Sequence, residues 1–234
     1  MATDIKLVTF DLDDTLWHTA PVLARAEQRL QEWLVRHAPE IEGFTLERLQ
    51  DLKQQVLEQM PQISHSVSAV RFHVLRLAYL QTGVAPELAA LKAEEAFQFF
   101  LAERQKVDVS PQARPMLSAL RQQGYILGAL SNGNADVRRV GLGSYFDFAL
   151  SADVLGVGKP DVAAFGAALG RAGVQPQQAV HVGDHPRDDI GGAQAAGMHA
   201  VWFNPHGAAW LSGPQPGAQV RCLSELPDVL AALT

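Results

Sequence analysis

The chain has 234 residues and a net charge of −6, with a pI near 5.7. That length makes room for one large or two modest domains, and the acidic balance argues against a nucleic-acid or anionic-membrane surface, which would reward clustered Lys and Arg. Cys222 is the sole cysteine, so no intrachain disulfide or thiolate cluster can form; no apolar run reaches the ~18 residues of a membrane span and no signal pattern precedes the first strand, so a soluble, cytoplasmic chain is expected.

The first element is the β-prone run Leu7-Val8-Thr9-Phe10, followed at once by Asp11-Leu12-Asp13-Asp14-Thr15. If extended geometry persists past Phe10, Asp11 and Asp13 share a face, because strand side chains alternate. Like charges ~4 Å apart repel by about 4 kcal/mol at an effective dielectric near 20. Such a pair calls for a cation or for nucleophilic or acid/base work; the structural alternative is an Asx turn or a helix N-cap.

From about Ala20 to Lys106 the pattern is helical. Leu23, Leu30 and Leu34 beside Trp33 make one stripe; Leu46, Leu49, Leu52, Val56 and Leu57 a second; Val67, Val70, Val74, Leu77 and Leu80 a third. Gly43, Pro61, Gly83 and Pro86 punctuate them. With Phe97, Phe99 and Phe100, these stripes read as the core of a small helical bundle.

From Pro111 onward helices alternate with short strands at Tyr125–Leu130, Phe148–Leu150, Ala179–Val182 and His199–Phe203. Gly124, Gly173 and Gly197 each stand where a helix ends before a strand, a place that favours a left-handed glycine cap. Together with residues 6–10 this predicts an α/β fold: a Rossmann-like parallel sheet of about five strands with helices on both faces, interrupted by an inserted helical domain. The expected boundaries are 1–17 and 107–234 for the core and 18–106 for the insert. Sheets of this type bind ligands at the carboxyl ends of their strands. Those ends carry Asp11 and Asp13; Ser131-Asn132-Gly133-Asn134; Gly158-Lys159-Pro160-Asp161; and Gly183-Asp184-His185-Pro186-Arg187-Asp188-Asp189. Taken singly these are ordinary turns, a solvated lysine and favourable first-turn charges. Jointly, an anion-binding loop, a lysine and two carboxylate clusters describe a place where a divalent cation and a phosphate coexist.

In order, these four clusters resemble the four motifs of the haloacid dehalogenase superfamily, and the helical insert looks like its type 1 cap. More narrowly, Asp11 to Trp17, Ser131 to Asn134, Gly141 to Phe148 and His181 to Met198 are similar to bacterial phosphatases acting on flavin mononucleotide and on 5-amino-6-(5-phosphoribitylamino)uracil. The resemblance implies a phosphatase acting on a small phosphomonoester. In it Asp11 is the nucleophile and becomes an aspartyl phosphate, Asp13 is the acid and base, and Lys159 is a fixed positive charge. Mg²⁺ would be held by the Asp11 carboxylate, the Asp13 carbonyl and Asp184, with Thr15, Ser131 and the amides near Asn132 and Gly133 on the phosphoryl oxygens. Asp188 and Asp189 both fit the last motif as the acid that orients Lys159 or the metal's waters; the longer spacing, to Asp189, is preferred. Trp17, His18 and His185 are candidate substrate contacts, and His181 is a strand residue rather than a zinc ligand. A phosphomutase shares the constellation. A receiver-like regulatory module has no insert after its first strand, and a haloacid dehalogenase needs neither Asp13 nor Asp184. No partner beyond the small substrate is implied, and the sequence carries no signal for oligomeric state.

Overall fold

A computed structural model describes residues 4–41, 45–211 and 213–233; Gly43, read above as a helix breaker, lies outside them. The chain divides into two compact units, Met1–His18 with Asp108–Thr234, and Thr19–Val107.

The first unit is built on a parallel six-stranded sheet: β1 Leu7–Phe10, β2 Ile126–Ser131, β3 Phe148–Ser151, β4 Ala179–Gly183, β5 His199–Phe203 and β6 Ala218–Val220. Their order is β3-β2-β1-β4-β5-β6. All four residues of β1 are buried, as a central strand covered on both faces requires. Strand order reverses between β1 and β4, and a crevice opens outside the carboxyl ends of two strands at such a switch point. Asp11 and Asp184 follow those two ends. The strand missing from the five-strand expectation is β6, three residues at the sheet edge that pair with β5 from Val201↔Ala218. Its Ala-Gln-Val carries no apolar run, so only the pairing reveals it.

In the second unit the described helices are α1 Thr19–His37, α2 Leu46–Gln59, α3 Val67–Gln81 and α4 Pro86–Arg104. Side chains of Thr45 and Ser66 cap α2 and α3 by accepting from backbone N–H groups three residues on, and Pro86 occupies the first turn of α4. The buried faces differ from the leucine count. In α1 Leu23 is 37 % exposed, and the core face is instead Val22, Ala26, Leu30 and Leu34. In α3 Val67 is exposed while Val70, Val74, Leu75, Ala78 and Tyr79 are buried. Alanines let neighbouring helices approach closely, so a face chosen by large residues alone is rotated from the true one. Phe97 and Phe100 lie in this core, with Phe99 packed against it.

In the sheet unit the helices are α5 Ala113–Gln122, α6 Ala152–Leu155, α7 Val162–Ala172, α8 Gly192–Ala195 and α9 Leu226–Leu233, and they cover both faces of the sheet. α5 buries Ala113, Met116, Leu117 and Leu120, the three- and four-residue steps of one helical stripe. Gly124, Gly173 and Gly197 have φ of 89°, 68° and 79°, so each makes the left-handed turn that redirects the chain from helix to strand. Among the described residues no helix is long and apolar enough to cross a membrane.

Candidate active site

Pairing with the sheet continues just past β1, where the Asp11 N–H donates to the Val182 carbonyl at 2.9 Å. Extended geometry then stops. The Leu16 N–H turns back to the Leu12 carbonyl at 2.8 Å, and Asp14 takes a left-handed φ of 57°, a conformation aspartate tolerates better than most residues. The strand condition on which Asp11 and Asp13 were expected to share a face thus ends at this turn. Asp13 accepts a hydrogen bond from the Trp17 indole Nε1 at 2.9 Å. Trp17, read as a candidate substrate contact, is buried, and its one polar group holds Asp13.

Asp11 is crowded from across the sheet. Carboxylate oxygens of Asp11, Asp184 and Asp189 all lie within 4.8 Å of one another. One ammonium stands among them: Lys159 Nζ donates to Asp11 Oδ1 at 2.7 Å and to Asp189 Oδ1 at 2.6 Å. The lysine is located by its backbone. Asn132 Nδ2 donates to the Lys159 carbonyl and Asn132 Oδ1 accepts from the Lys159 N–H, both at 2.8 Å. Through this clamp the loop after β2 fixes the loop before α7, and the side chain of Asn132 is engaged there. Ser131 ends β2, and its hydroxyl oxygen accepts from the Gly133 N–H at 3.0 Å. That Gly133 amide closes the local turn, while the serine keeps its own O–H free to donate. Thr15 is buried and donates to Asp184 Oδ1 at 3.3 Å. The Asp184 carbonyl in turn accepts from Trp202 Nε1 at 2.8 Å.

Asp189 rather than Asp188 meets the lysine. Residues Pro186–Gly191 form a single π-helical turn. His185 caps it, accepting the Asp188 N–H at its Nδ1 (3.0 Å), and the His185 N–H donates to Asp189 Oδ2 at 2.8 Å. Asp189 Oδ1 also meets His181 Nε2 at 3.0 Å, and His181 Nδ1 meets the Thr9 hydroxyl at 2.8 Å. With Asp189 ionised, His181 carries its proton on Nε2 and accepts from Thr9 at Nδ1, since only then does each bond have one donor. Gly183 makes room for this arrangement: a Cβ there would sit 2.3 Å from Asp189 Cγ. Gly183→Ala is expected to displace Asp189 and lower stability by about 1–3 kcal/mol, measurable by urea unfolding.

Thr9 went unassigned by motif reasoning, and His181 was read only as a strand residue. The signal was present in their settings, a threonine in Leu-Val-Thr-Phe and a histidine in Ala-Val-His-Val. Polar groups inside fully buried strands must have partners, and β1–β4 register sets these two opposite each other. His18 and His185 are exposed. His18 stacks on His206 with centroids 6.2 Å apart, and His18 and His185 both line a cavity that also includes Asp14 and Asp184.

Charge follows the geometry. Burial, reinforced by Asp189 and Asp184 against the pull of Lys159, pushes the Asp11 carboxyl up to about 8. Burial together with Asp189 and Asp14 pushes Asp184 up to about 6. Burial would also raise Asp189, but Lys159 and His181 outweigh it and hold the carboxyl below the usual range. Lys159 lies above its ordinary value because Asp11 and Asp189 outweigh burial. His181 is lowered, first by burial, and stays neutral. Three carboxylates against one ammonium leave an excess of negative charge that a cation would neutralise. The donors are hard oxygens, and both nitrogens of His181 are engaged within the protein. The set therefore fits a cation such as Mg²⁺ better than zinc.

The parallel sheet carries acids and a lysine at its switch point, the carboxyl-end position where open α/β sheets bind ligands. The model of the haloacid dehalogenase-like hydrolase family matches residues 5–197, and the chain belongs to that family. It is 34 % identical over 230 residues to the 5-amino-6-(5-phospho-D-ribitylamino)uracil phosphatase YigB of Escherichia coli (strain K12), covering 97 % of this chain and 96 % of that protein. It is 32 % identical to a phosphoserine phosphatase of Thermus thermophilus, covering 86 % and 89 %. A solved 2-haloacid dehalogenase from Pseudomonas syringae pv. Tomato DC3000 superposes with a TM-score of 0.95 at 48 % identity, covering 98 % and 100 %.

Proposed function

We propose that the chain is a Mg²⁺-dependent phosphomonoester hydrolase working through an aspartyl phosphate on Asp11, with residues 19–107 as its helical cap domain. The observation that carries this reading is the Asp11 carboxylate, held through Oδ1 by Lys159 inside a cluster of three carboxylates. Oδ2 of Asp11 attacks phosphorus, and the ester oxygen leaves with a proton from Asp13. Asp13 then takes a proton from water as the water cleaves the acyl phosphate, returning Asp11 to a carboxylate. The Trp17 indole orients Asp13 for both transfers. Lys159 offsets charge on the transferring group, and the Ser131 hydroxyl donates to it. Asp11, Asp184 and the Asp13 carbonyl would hold Mg²⁺, which supplies charge neutralisation between the nucleophile and the phosphate dianion. The substrate is a small metabolite phosphate such as flavin mononucleotide or a riboflavin-precursor phosphate, supported by the likeness to the ribitylaminouracil phosphatase.

The test is phosphate release from a panel of metabolite monoesters with and without Mg²⁺; no release from any member would sink the reading. A second reading, hydrolytic dehalogenation, is raised by the similar solved dehalogenase. A carboxylate attacking the neutral carbon of a haloacid has no dianion to overcome, so acids gathered around Asp11 gain it nothing. Halide release from 2-haloacids without phosphate release would choose that reading instead.

Cation affinity should depend on pH with a definite sign. A cation must displace the protons that raised Asp184 and Asp11 retain. Mg²⁺ affinity measured calorimetrically is therefore expected to fall with decreasing pH, most steeply below pH 6, on the order of tenfold per pH unit for each proton displaced. A flat profile would contradict the ligand assignment.

A further inference from the structure

We infer that the sheet unit carries its own receptor for the organic part of the substrate: the cleft walled by Trp202, Trp210 and the His18–His206 pair receives a planar nitrogen heterocycle. This rests on the phosphatase reading above and adds to it which side chains hold the ring of the leaving group. The cleft has a volume of about 840 Å³ and its lining includes Asp14 and Asp184, so it adjoins the carboxylate cluster through Asp184. That size is in the range of small-molecule sites, and a three-carbon phosphate would leave most of it unfilled.

Its walls are aromatic and held in place. Trp202 is anchored by its bond to the Asp184 carbonyl, and Trp210 meets it edge-on with centroids 5.0 Å apart at 73°. Trp210 Nε1 donates to the Gly213 carbonyl at 3.2 Å. The connecting loop is pinned by buried Asn204, whose side chain donates to the Ala208 carbonyl and accepts from the Ala208 N–H, both at 2.9 Å. A preformed wall of this kind binds without a large ordering cost. Indole faces favour a flat π system. The imidazoles and Arg187 in the lining would remain unsatisfied against a hydrocarbon, whereas a heterocycle bearing carbonyls offers them acceptors. Phosphoserine and triose phosphates offer acceptors but no flat ring.

Flavin mononucleotide and ribitol 5-phosphate share the ribityl phosphate and differ in the ring, which makes them a matched pair of probes. With the full-length protein and Mg²⁺, wild type is expected to prefer flavin mononucleotide in kcat/KM. Trp210→Ala should lower that preference by about tenfold or more, chiefly through KM, the span that base stacking on an aromatic ring is worth. Trp210→Phe should keep most of it. Should Trp210→Ala prove too unstable to assay, His206→Ala removes a ring from the same cleft and is expected to lower the preference in the same direction. Equal handling of the two probes by wild type, or a preference that Trp210→Ala leaves unchanged, overturns the inference while the phosphatase assignment stands. Absence of phosphate release from both probes and from every other monoester overturns the assignment itself.

Discussion

Asp11→Asn is expected to lower kcat on the order of 10⁴-fold or more, while the protein without metal becomes more stable. Loss of turnover follows from the chemistry: an amide oxygen in the place of the carboxylate is a poor nucleophile toward phosphorus. The gain in stability follows from charge. In the folded chain the Asp11 carboxyl is raised from 3.8 to about 8, first by burial and then by the acids beside it. A group raised in the folded state contributes fully at low pH and loses its contribution as pH climbs from its unfolded toward its folded pKa. Wild type without metal should thus weaken between about pH 4 and pH 8 relative to Asp11→Asn, which has no proton to lose. In EDTA the apparent Tm of the variant is expected to exceed that of wild type by at least about 2 °C at pH 8, with the gap closing near pH 4. Added Mg²⁺ should shrink or reverse the difference, because a ligand that binds the folded state stabilises the protein able to hold it. A variant that melts below wild type at pH 8 in EDTA would mean that Lys159 contributes more to Asp11 than the surrounding acids oppose. Retained turnover would remove Asp11 from the chemistry.

The gathering of acids and a lysine at strand ends was legible in the sequence because two separate patterns agree. Short apolar runs mark the strands, and Asp11, Lys159, Asp184 and Asp189 all lie at or just beyond the places where strand or loop patterns end. Parallel topology then brings residues far apart in the chain to one edge. What the sequence hid depends on local geometry that residue type does not encode. Alternation applies to Asp11 and Asp13 only while the strand continues, but a turn closes from Leu12 to Leu16, and the Trp17 indole braces Asp13. The two acids at 188 and 189 differ in neither charge nor composition; only the π-helical turn sets one against Lys159 and leaves the other beside His185. The aromatic cleft was hidden for a different reason. Trp202 and Trp210 are eight residues apart in a segment rich in Gly and Pro, where no helical or strand period links them. The sequence pointed to Trp17, His18 and His185 as substrate contacts but not to the two tryptophans, which line a cavity of the sheet unit together with His18 and His185.

Asp189→Ala and Asp188→Ala are expected to separate sharply although the residues are adjacent. Asp189 receives Lys159 and His181 on one oxygen and the His185 N–H on the other, and its side chain is 2 % exposed. Truncation leaves a buried ammonium with Asp11 as its remaining carboxylate partner and two further donors without acceptors. Breaking a buried charge pair from one side costs about 3–5 kcal/mol, and urea unfolding near pH 7 should show a loss of that size. Asp188 contacts the cap residue His185 from the rim, so its loss is expected to stay within about 0.5 kcal/mol. The Asp189 contribution has its own pH signature. Lys159 and His181 outweigh burial and hold the carboxyl below the ordinary range; its stabilisation is therefore present at neutral pH and lost as pH falls below the ordinary carboxylate value. The destabilisation caused by Asp189→Ala should accordingly shrink in acid. Turnover should fall as well, because Lys159 without Asp189 is free to settle wholly on Asp11 and mask the carboxylate meant to attack. Asp189→Asn preserves shape and one acceptor, so it should recover part of the stability but little of the rate. Equal losses in Asp188→Ala and Asp189→Ala would show that the Lys159 contact is not what matters in this turn.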